Sequence, residues 1–262
     1  MASRPDASQS RRPVVMIHGA FCGGWVFERL RKPFEAAGHT VLAPNLPGHG
    51  VGQNPAGLSM GDYARAVAAL CDAQPESPIL IGHSMGGLVA QMAASRLARR
   101  RPLAGLILLA PSAPWGVMGA SMEEAVSAVG LYSLGAYWLQ AVDPQYDLAR
   151  TYSLDRLPRD EIRPTFERMT AESGRALFET LNWWLDPMMT TSVGSVGAPA
   201  LAIAGDRDLI HPSATVRQTA ARLGAHFRNF TEMSHWLPAE PGWESVAEAC
   251  LDWLAQEARA AA

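Results

Sequence analysis

The fold is decided by the stretch Ile79-Leu80-Ile81-Gly82-His83-Ser84-Met85-Gly86-Gly87, which runs from an apolar strand through a tight turn into a helix. Residues 82–86 match the pattern G-x-S-x-G, which average amino-acid frequencies produce by chance about 0.1 times in a chain of this length. The context is more informative than the match, because an apolar strand precedes the turn and helical periodicity over residues 85–100 follows it. The stretch therefore predicts a serine on a sharp strand-to-helix turn.

Strands and helices alternate on both sides of this turn. Short apolar runs predict strands at 14–17, 40–43, 79–81, 106–109, 200–203 and 227–230. Helical spacing predicts helices at 25–37, 60–72, 85–100, 214–223 and 243–259. The alternation predicts an α/β fold with a doubly wound, mainly parallel sheet.

The position of Ser84 suits nucleophilic catalysis. A serine on such a turn projects its hydroxyl above the edge of the sheet, and Gly82, Gly86 and Gly87 let strand and helix approach closely. The helix that follows points its first amides toward the place where an oxyanion would form. We therefore expect the backbone N–H of Met85 to bind that oxyanion.

A serine hydroxyl needs a base, and the base needs a third group that holds it. Where a serine lies on this type of turn, the chain order is serine, then an acid, then histidine. His235 follows the last predicted strand and is the expected base. Asp206 and Asp208 both follow the strand at 200–203, and the order alone leaves both open as the acid.

From about Pro13 onward, the sequence resembles the α/β-hydrolase superfamily, in its serine esterase type. His18-Gly19-Ala20 resembles the oxyanion loop of that family. Residues 18–25, followed by Glu35-Ala36-Ala37-Gly38-His39, are similar to plant methylesterases and hydroxynitrile lyases. The resemblance implies the α/β-hydrolase fold.

The resemblance also implies roles for particular residues. The family commonly has its acid three residues after a strand-ending glycine and four before a proline, which selects Asp208 and completes a triad of Ser84, Asp208 and His235. By the same comparison, the backbone N–H of Ala20 is the second oxyanion donor.

Three positions depart from the family pattern. Asn45 stands where an aspartate is frequent, in a turn whose role is structural. Ser234 replaces a glycine before the histidine and affects the conformation of that loop. Trp236 stands where hydroxynitrile lyases have a lysine, so cyanide chemistry loses support.

Residues 114–195 interrupt the alternation with helical stretches, no convincing strand and many Trp, Met, Tyr and Leu residues. We interpret them as an inserted helical cap on a core formed by 13–113 and 196–262, with 1–12 as a loose N-terminal tail. An apolar cap over a serine predicts an apolar substrate pocket. The candidate lining residues are Phe21, Trp115, Trp138, Trp184 and Trp236.

The composition is that of an ordinary globular protein, with 48% hydrophobic residues, 18% charged residues and a net charge of -3. Neither nucleic acid nor an anionic membrane is expected as a partner, and no apolar run is long enough for membrane insertion. Three scattered cysteines, Cys22, Cys71 and Cys250, fit a reducing compartment, so we expect a cytoplasmic protein without disulfides. We expect no metal and no organic cofactor, and the composition predicts no oligomeric state.

Other polar residues near the motifs have simpler explanations than catalysis. His211 could compete as the base, but it leads into a helix, and we expect it to be structural. His18 and His83 are expected to hold backbone loops, and Cys22 to pack against its neighbours. The run 99–101 of three arginines suits the C-terminal end of a helix.

These residues predict hydrolysis of a carboxylic ester with an apolar acyl group through an acyl-enzyme. The expected partner is a small-molecule ester. Thioesterases, lactonases, perhydrolases and carbon–carbon bond hydrolases use the same triad and stay open. Ser84 argues against the dehalogenases and epoxide hydrolases of this fold, which use an aspartate. A non-catalytic binding module is the alternative from another class.

Overall fold

The main sheet has six strands, and every neighbouring pair is parallel. A computed structural model describes residues 12–118 and 121–260. Its strands are β1 (Val14–Ile17), β2 (Val41–Leu42), β3 (Ile79–His83), β4 (Gly105–Leu109), β5 (Ala141–Val142), β6 (Glu172–Ser173), β7 (Ala200–Gly205) and β8 (His226–Phe230). Six of them form one sheet in the order β2-β1-β3-β4-β7-β8. The predicted parallel α/β fold is confirmed.

Helices cover both faces of this sheet. They are α1 (Arg31–Ala36), α2 (Met60–Asp72), α3 (Met85–Leu97), α4 (Met122–Ser133), α5 (Tyr146–Leu148), α6 (Arg159–Phe166), α7 (Gly174–Leu181), α8 (Ser213–Leu223) and α9 (Trp243–Ala260). Within the described ranges, no helix is long and apolar enough to cross a membrane.

Alternate residues of the central strands belong to two separate cores. Val15 and Ile17 of β1 pack in one core with residues of α2, α3 and α8. Val14 and Met16 pack in the other with residues of α1 and α9. Because both faces are covered, β1, β3 and β4 are buried at every position, which explains their apolar sequence, broken only by His83 at the end of β3.

The helix predicted at 25–37 is divided in two. A 3₁₀ helix at Gly24–Phe27 is followed by α1, which begins at Arg31. Pro33 explains the division, because proline has no N–H and its ring clashes with the carbonyl four residues earlier in a continuous helix. In the first turn of α1, where no such bond is needed, Pro33 is tolerated.

The segment between β4 and β7 contains α4 to α7, two 3₁₀ helices (Tyr137–Leu139 and Trp183–Leu185) and a π-helical turn (Ala149–Ser153). It also contains two strands, where the sequence had predicted none. Strands β5 and β6 pair in antiparallel fashion, with Ala141 opposite Ser173 and Val142 opposite Glu172. Two residues are too few to show an alternating pattern, so this pair leaves no signal in the sequence.

The first turn of α3 lies directly against the end of β1. A Cβ atom on Gly86 would lie 2.2 Å from the carbonyl oxygen of His18 and 2.4 Å from that of Ile17. Both obstacles are backbone atoms, one in the last residue of β1 and one in the residue that follows it, and packed backbone does not move aside easily. Glycine at position 86 therefore sets the distance between α3 and β1.

Gly86→Ala should lower the free energy of unfolding by about 1–3 kcal/mol or more, because the added methyl group forces backbone apart in a packed core. Gly61→Ala is the matched control, since a Cβ there would meet its nearest atom, the Ser59 hydroxyl, at 3.4 Å. That variant should be unchanged or slightly more stable, because alanine favours helix. Urea unfolding of both variants makes the comparison, and equal stability of the two would contradict the close-contact explanation.

Candidate active site

Ser84 links β3 to α3 in a strained backbone conformation. Its φ of 55° and ψ of -128° lie in a region that residues with a side chain rarely adopt. Its N–H donates to the carbonyl of Leu109 at 3.0 Å, and its carbonyl accepts from the N–H groups of Gly87 and Ser112. The neighbouring chain thus holds the strained turn on both sides.

A chain of hydrogen bonds runs from Ser84 through His235 to Asp208. Oγ of Ser84 lies 3.0 Å from Nε2 of His235, and Nδ1 of His235 lies 3.0 Å from Oδ2 of Asp208. Asp208 follows β7 and His235 follows β8, so the ends of parallel strands deliver all three side chains to one edge of the sheet. With the proton on Nδ1, the imidazole donates to the carboxylate and accepts from the serine hydroxyl.

Asp208, not Asp206, contacts the histidine. Oδ1 of Asp208 accepts from the backbone N–H groups of Ile210 and His211 at 2.8 and 2.9 Å. Burial alone would raise the pKa of this carboxyl, but the charge and hydrogen bond of His235 outweigh burial and hold the pKa below its usual value. Asp206 is exposed and accepts from the backbone of a neighbouring turn instead.

The loop after β1 lies beside Ser84. A Cβ atom on Gly19 would be 2.8 Å from the Cβ of Ser84, so this approach requires a residue without a side chain. Ala20 and Met85 line the same cavity as Ser84, and Met85 is the first residue of α3. The structure therefore places both residues predicted as oxyanion donors next to the serine.

Comparison with known proteins identifies the family of this chain. Residues 14–249 match the model of the alpha/beta hydrolase family. The chain belongs to the α/β-hydrolase family. It is 31% identical over 235 residues to a pimeloyl-[acyl-carrier protein] methyl ester esterase of Stenotrophomonas maltophilia, with 85% of each chain covered. It is 24% identical over 240 residues to a carbendazim hydrolyzing esterase of Nocardioides sp., with 90% of each chain covered.

A solved structure shows the same fold. A methylesterase from Arabidopsis superposes with a TM-score of 0.72 at 17% identity, covering 93% of this chain and 99% of that chain. At this identity the likeness concerns the backbone.

The cavity over Ser84 in this α/β-hydrolase has a volume of about 190 Å³. Phe21, Trp184 and Trp236 line it, as predicted from the sequence. Other apolar residues of the lining, which the sequence analysis did not predict there, include Leu131, Val142, Leu148, Leu177, Leu181 and Trp183. Most of this lining comes from the segment between β4 and β7.

The structure places two of the predicted lining residues elsewhere. Trp115 packs edge-on against Trp183, with the ring centres 5.7 Å apart. Trp138 packs against Tyr137 and Phe178 and keeps 37% of its surface exposed. A composition rich in tryptophan predicts an apolar cavity, but it does not show which tryptophans face inward.

Three buried histidines hold the loops around the site. The Nε2 atom of His18 accepts from the N–H of Leu46 at 2.9 Å, and the ring of His83 donates to the carbonyl of His235 at 2.8 Å. His211 donates from Nδ1 to the carbonyl of Ala110 at 2.8 Å. Burial lowers the pKa of His18 to about 4, that of His83 to about 3 and that of His211 to about 4. All three are therefore neutral at ordinary pH.

Ser112 and His211 form a second serine–histidine contact, which the sequence had not suggested. The Oγ of Ser112 lies 3.1 Å from Nε2 of His211. The other nitrogen of His211 is bonded to a backbone carbonyl, whereas Nδ1 of His235 is bonded to a carboxylate. Its backbone partner and its lowered pKa make His211 a weak base.

The residues Asp208, His211 and His235 are the one group, within the described parts of the chain, whose donor atoms are spaced for a metal ion. The atoms concerned lie within 4.8 Å of one another. His235 and Asp208 already bond to each other, and Nδ1 of His211 is engaged with Ala110. A cation here would have to displace His235 from Asp208.

Sequence reasoning missed a buried polar cluster beside the loop after β1. It consists of His49, Tyr63 and Glu172, of which Glu172 accepts from both other side chains. The partners of Glu172 lie 123 and 109 positions away in the chain. No local pattern signals such contacts, although His49 stands in a turn-rich segment after β2.

We expect the free energy of unfolding to fall as the pH decreases from about 6.5 toward about 4. The ordinary histidine pKa is about 6.5, so the unfolded chain takes up these protons while folded His18, His83 and His211 stay neutral. Each of these histidines then lowers the free energy of unfolding by up to about 1.4 kcal/mol for each unit by which the pH decreases. Urea unfolding at a series of pH values measures the slope.

Glu240 provides the control for this prediction. Burial raises its pKa to about 7, so the folded protein binds that proton at a higher pH than the unfolded chain does. Its contribution therefore has the opposite sign, and Glu240→Gln should steepen the loss of stability. A stability that stays constant between about pH 6.5 and about pH 5 in this variant would contradict the histidine explanation.

Proposed function

We propose that this protein hydrolyses carboxylic esters with apolar acyl groups through an acyl-enzyme on Ser84. The observation that carries the proposal is the hydrogen-bonded chain from Ser84 through His235 to Asp208, which ends in an apolar cavity. Two relatives, a pimeloyl-[acyl-carrier protein] methyl ester esterase and a carbendazim hydrolyzing esterase, support ester cleavage.

In the first half-reaction, Oγ of Ser84 attacks the acyl carbon while Nε2 of His235 takes the serine proton. Asp208 stabilises the imidazolium that forms. The carbonyl oxygen becomes an oxyanion, and the backbone N–H groups of Ala20 and Met85 are its proposed donors. When the intermediate collapses, the bond to the alcohol breaks and the alcohol leaves with the proton from His235.

Water completes the second half-reaction. His235 takes a proton from the water, whose oxygen attacks the acyl carbon bound to Ser84. The new intermediate releases the carboxylic acid, and Oγ of Ser84 regains its proton from His235. Side chains, backbone amides and water supply every group in this route, which calls for no metal and no organic cofactor.

We assign residues 114–195 as the cap over this site and 13–113 with 196–262 as the hydrolase core. Val142, Leu177, Leu181 and Trp184 support the assignment, because this segment contributes them to the cavity over Ser84. Of the predicted tail, 1–12, all but Arg12 lie outside the described residues.

The charge of the lining favours uncharged acyl groups. In the described part of the chain, no arginine or lysine lines the cavity, whereas Asp143 does. A carboxylate on the acyl group would lose its hydration without gaining a cation partner. Arg163, an arginine of the same segment as Asp143, lies 3.8 Å over the ring of Tyr146.

The same triad would also serve a thioesterase, a lactonase, a perhydrolase or a carbon–carbon bond hydrolase. Esters are preferred here because the relatives are named as esterases. Cytoplasmic location and the absence of nucleic acid partners stay predictions of the sequence, and they rest on its cysteine usage and net charge.

Ser84→Ala should lower the turnover number by on the order of 10⁶-fold and abolish labelling by a fluorophosphonate probe, because the nucleophile is lost. Ser112→Ala is the matched control, since Ser112 lies in the same cavity beside a different histidine. That variant should still be labelled. Circular dichroism confirms that both variants are folded.

The labelling separates the alternatives. If the folded Ser84→Ala protein is still labelled and the Ser112→Ala protein is not, the nucleophile is Ser112. A wild-type protein that takes no label would favour a non-catalytic binding module.

Extending the acyl chain of p-nitrophenyl esters from acetate upward should raise kcat/KM by up to about 4-fold per carbon until the cavity is filled, because each buried methylene contributes about 0.8 kcal/mol. The control compares p-nitrophenyl octanoate with the mono-p-nitrophenyl ester of octanedioic acid, which has the same length and a terminal carboxylate. The charged ester should be the slower of the two. If kcat/KM does not change with acyl length and the half-ester reacts fastest, the cavity prefers charged acyl groups.

A further inference from the structure

The cap is connected to the oxyanion loop (residues 18–21) by a fully buried carboxylate. Oε1 of Glu172 accepts from the hydroxyl of Tyr63 at 2.7 Å and from the N–H of Ser173 at 2.6 Å. Oε2 accepts from Nε2 of His49 at 3.1 Å and from the backbone N–H of Phe21 at 3.4 Å. We propose that Glu172 and His49 form a buried ion pair that positions the oxyanion loop for catalysis, an inference that rests on the proposed ester hydrolysis.

The hydrogen bonds of His49 support a charged ring. Its Nδ1 lies 3.1 Å from the carbonyl oxygen of Pro47, and its Nε2 faces Glu172. Both partners accept hydrogen bonds, and a neutral imidazole has a single N–H to donate. The imidazolium satisfies both.

The electrostatic surroundings agree with this charge. Burial alone would lower the pKa of His49, but the hydrogen bond and charge of Glu172 outweigh burial and raise the pKa above the ordinary histidine value. Both side chains of the pair are withdrawn from solvent. A pair in this setting is charge-assisted and little screened by salt.

The other titratable groups that face the pair are neutral. Tyr63 donates a hydrogen bond to Glu172 and keeps its proton, because burial raises the pKa of this phenol. His18, whose ring centre lies 5.1 Å from that of His49, is uncharged because burial and the neighbouring His49 lower its pKa to about 4. Burial also raises the pKa of the Cys22 thiol. Glu172 is therefore the counter-ion of His49.

Phe21 is the point at which this pair acts on the oxyanion loop. Its φ is 63°, in the left-handed region that a residue with a side chain avoids. Its N–H is held by Glu172, and its carbonyl accepts from the N–H of Thr170 at 2.9 Å. The cap therefore holds both the N–H and the carbonyl of Phe21. Phe21 follows Ala20, and the N–H of Ala20 is the proposed oxyanion donor.

The charge of His49 also reduces an unfavourable interaction between Glu172 and the oxyanion. A lone carboxylate bonded to the oxyanion loop would repel the negative charge that develops on the substrate oxygen. His49 is bonded to the same carboxylate oxygen, and its positive charge offsets that repulsion. Glu172 can therefore fix the loop without opposing the reaction, which makes it a positioning residue.

Glu172→Gln tests the inference, with Glu179→Gln as its control. Glu179 is a second buried glutamate of the cap, and it accepts from the N–H of Met60 at 2.8 Å without contacting the oxyanion loop. Kinetics on one p-nitrophenyl ester and inhibition by an alkyl trifluoromethyl ketone, whose hemiketal oxygen occupies the oxyanion position, are measured for both variants.

Glu172→Gln should lower kcat by about 10- to 100-fold, less than the loss of a whole oxyanion donor, while KM stays within about threefold. The inhibition constant of the ketone should rise by a similar factor. Glu179→Gln should keep both constants within about threefold of wild type. Equal effects of the two substitutions, or a loss in Glu172→Gln confined to KM, would overturn the inference.

A measurement on the wild-type protein covers the case in which Glu172→Gln does not fold. Nitrogen-15 NMR of the imidazoles, with His49 assigned from its missing signals in His49→Gln, should show both ring nitrogens protonated at neutral pH. A neutral tautomer would overturn the ion pair. A wild-type protein that neither hydrolyses esters nor reacts with fluorophosphonate would instead overturn the proposed function, and the positioning role with it.

Discussion

Two close contacts at glycines bring the site together. A Cβ atom on Gly86 would lie 2.2 Å from the carbonyl oxygen of His18, and one on Gly205 would lie 2.4 Å from the carbonyl oxygens of Met233 and Ser234. The first contact presses the turn at Ser84 against the oxyanion loop. The second presses the end of β7 against the loop that carries His235. Because backbone meets backbone in both places, the distances between Ser84, His235 and Asp208 are set by the main chain rather than by adjustable side chains.

The charges of the buried histidines follow from the partners at their two nitrogens. His18 accepts at Nε2 from the N–H of Leu46, so that nitrogen has no proton and the ring is neutral. His49 faces a carbonyl and a carboxylate and needs two protons. His235 lies between these cases, with a carboxylate at Nδ1 and a hydroxyl at Nε2. A hydroxyl can donate or accept, and His235 can therefore take up a proton during a reaction, whereas His18 and His49 have fixed charges.

Sequence alone predicted the parts of the molecule that local pattern determines. The turn at Ser84 and the sheet follow from apolar runs, glycines and chain order, and the choice of Asp208 over Asp206 follows from family resemblance. The division of the helix at 25–37 was missed although Pro33 gave a local signal. The inward or outward direction of Trp115 and Trp138 had no such signal, because it depends on how a long insertion packs.

The cluster at Glu172 shows why the sequence alone could not predict the rest of the site. From sequence, a glutamate inside an insertion is interpreted as a solvated surface residue, since charged residues are almost never fully buried unless they are paired. Its partners come from α2, from the segment after β2 and from the loop after β1, three regions that only the folded chain brings together. Burying this carboxylate costs desolvation free energy, which four hydrogen-bond donors and one opposite charge offset. A buried pair of this kind contributes little net stability compared with an apolar replacement, so geometry is the property it supplies. Here that geometry is the backbone of Phe21, and the segment between β4 and β7 thereby helps to hold this loop as well as to line the cavity over Ser84.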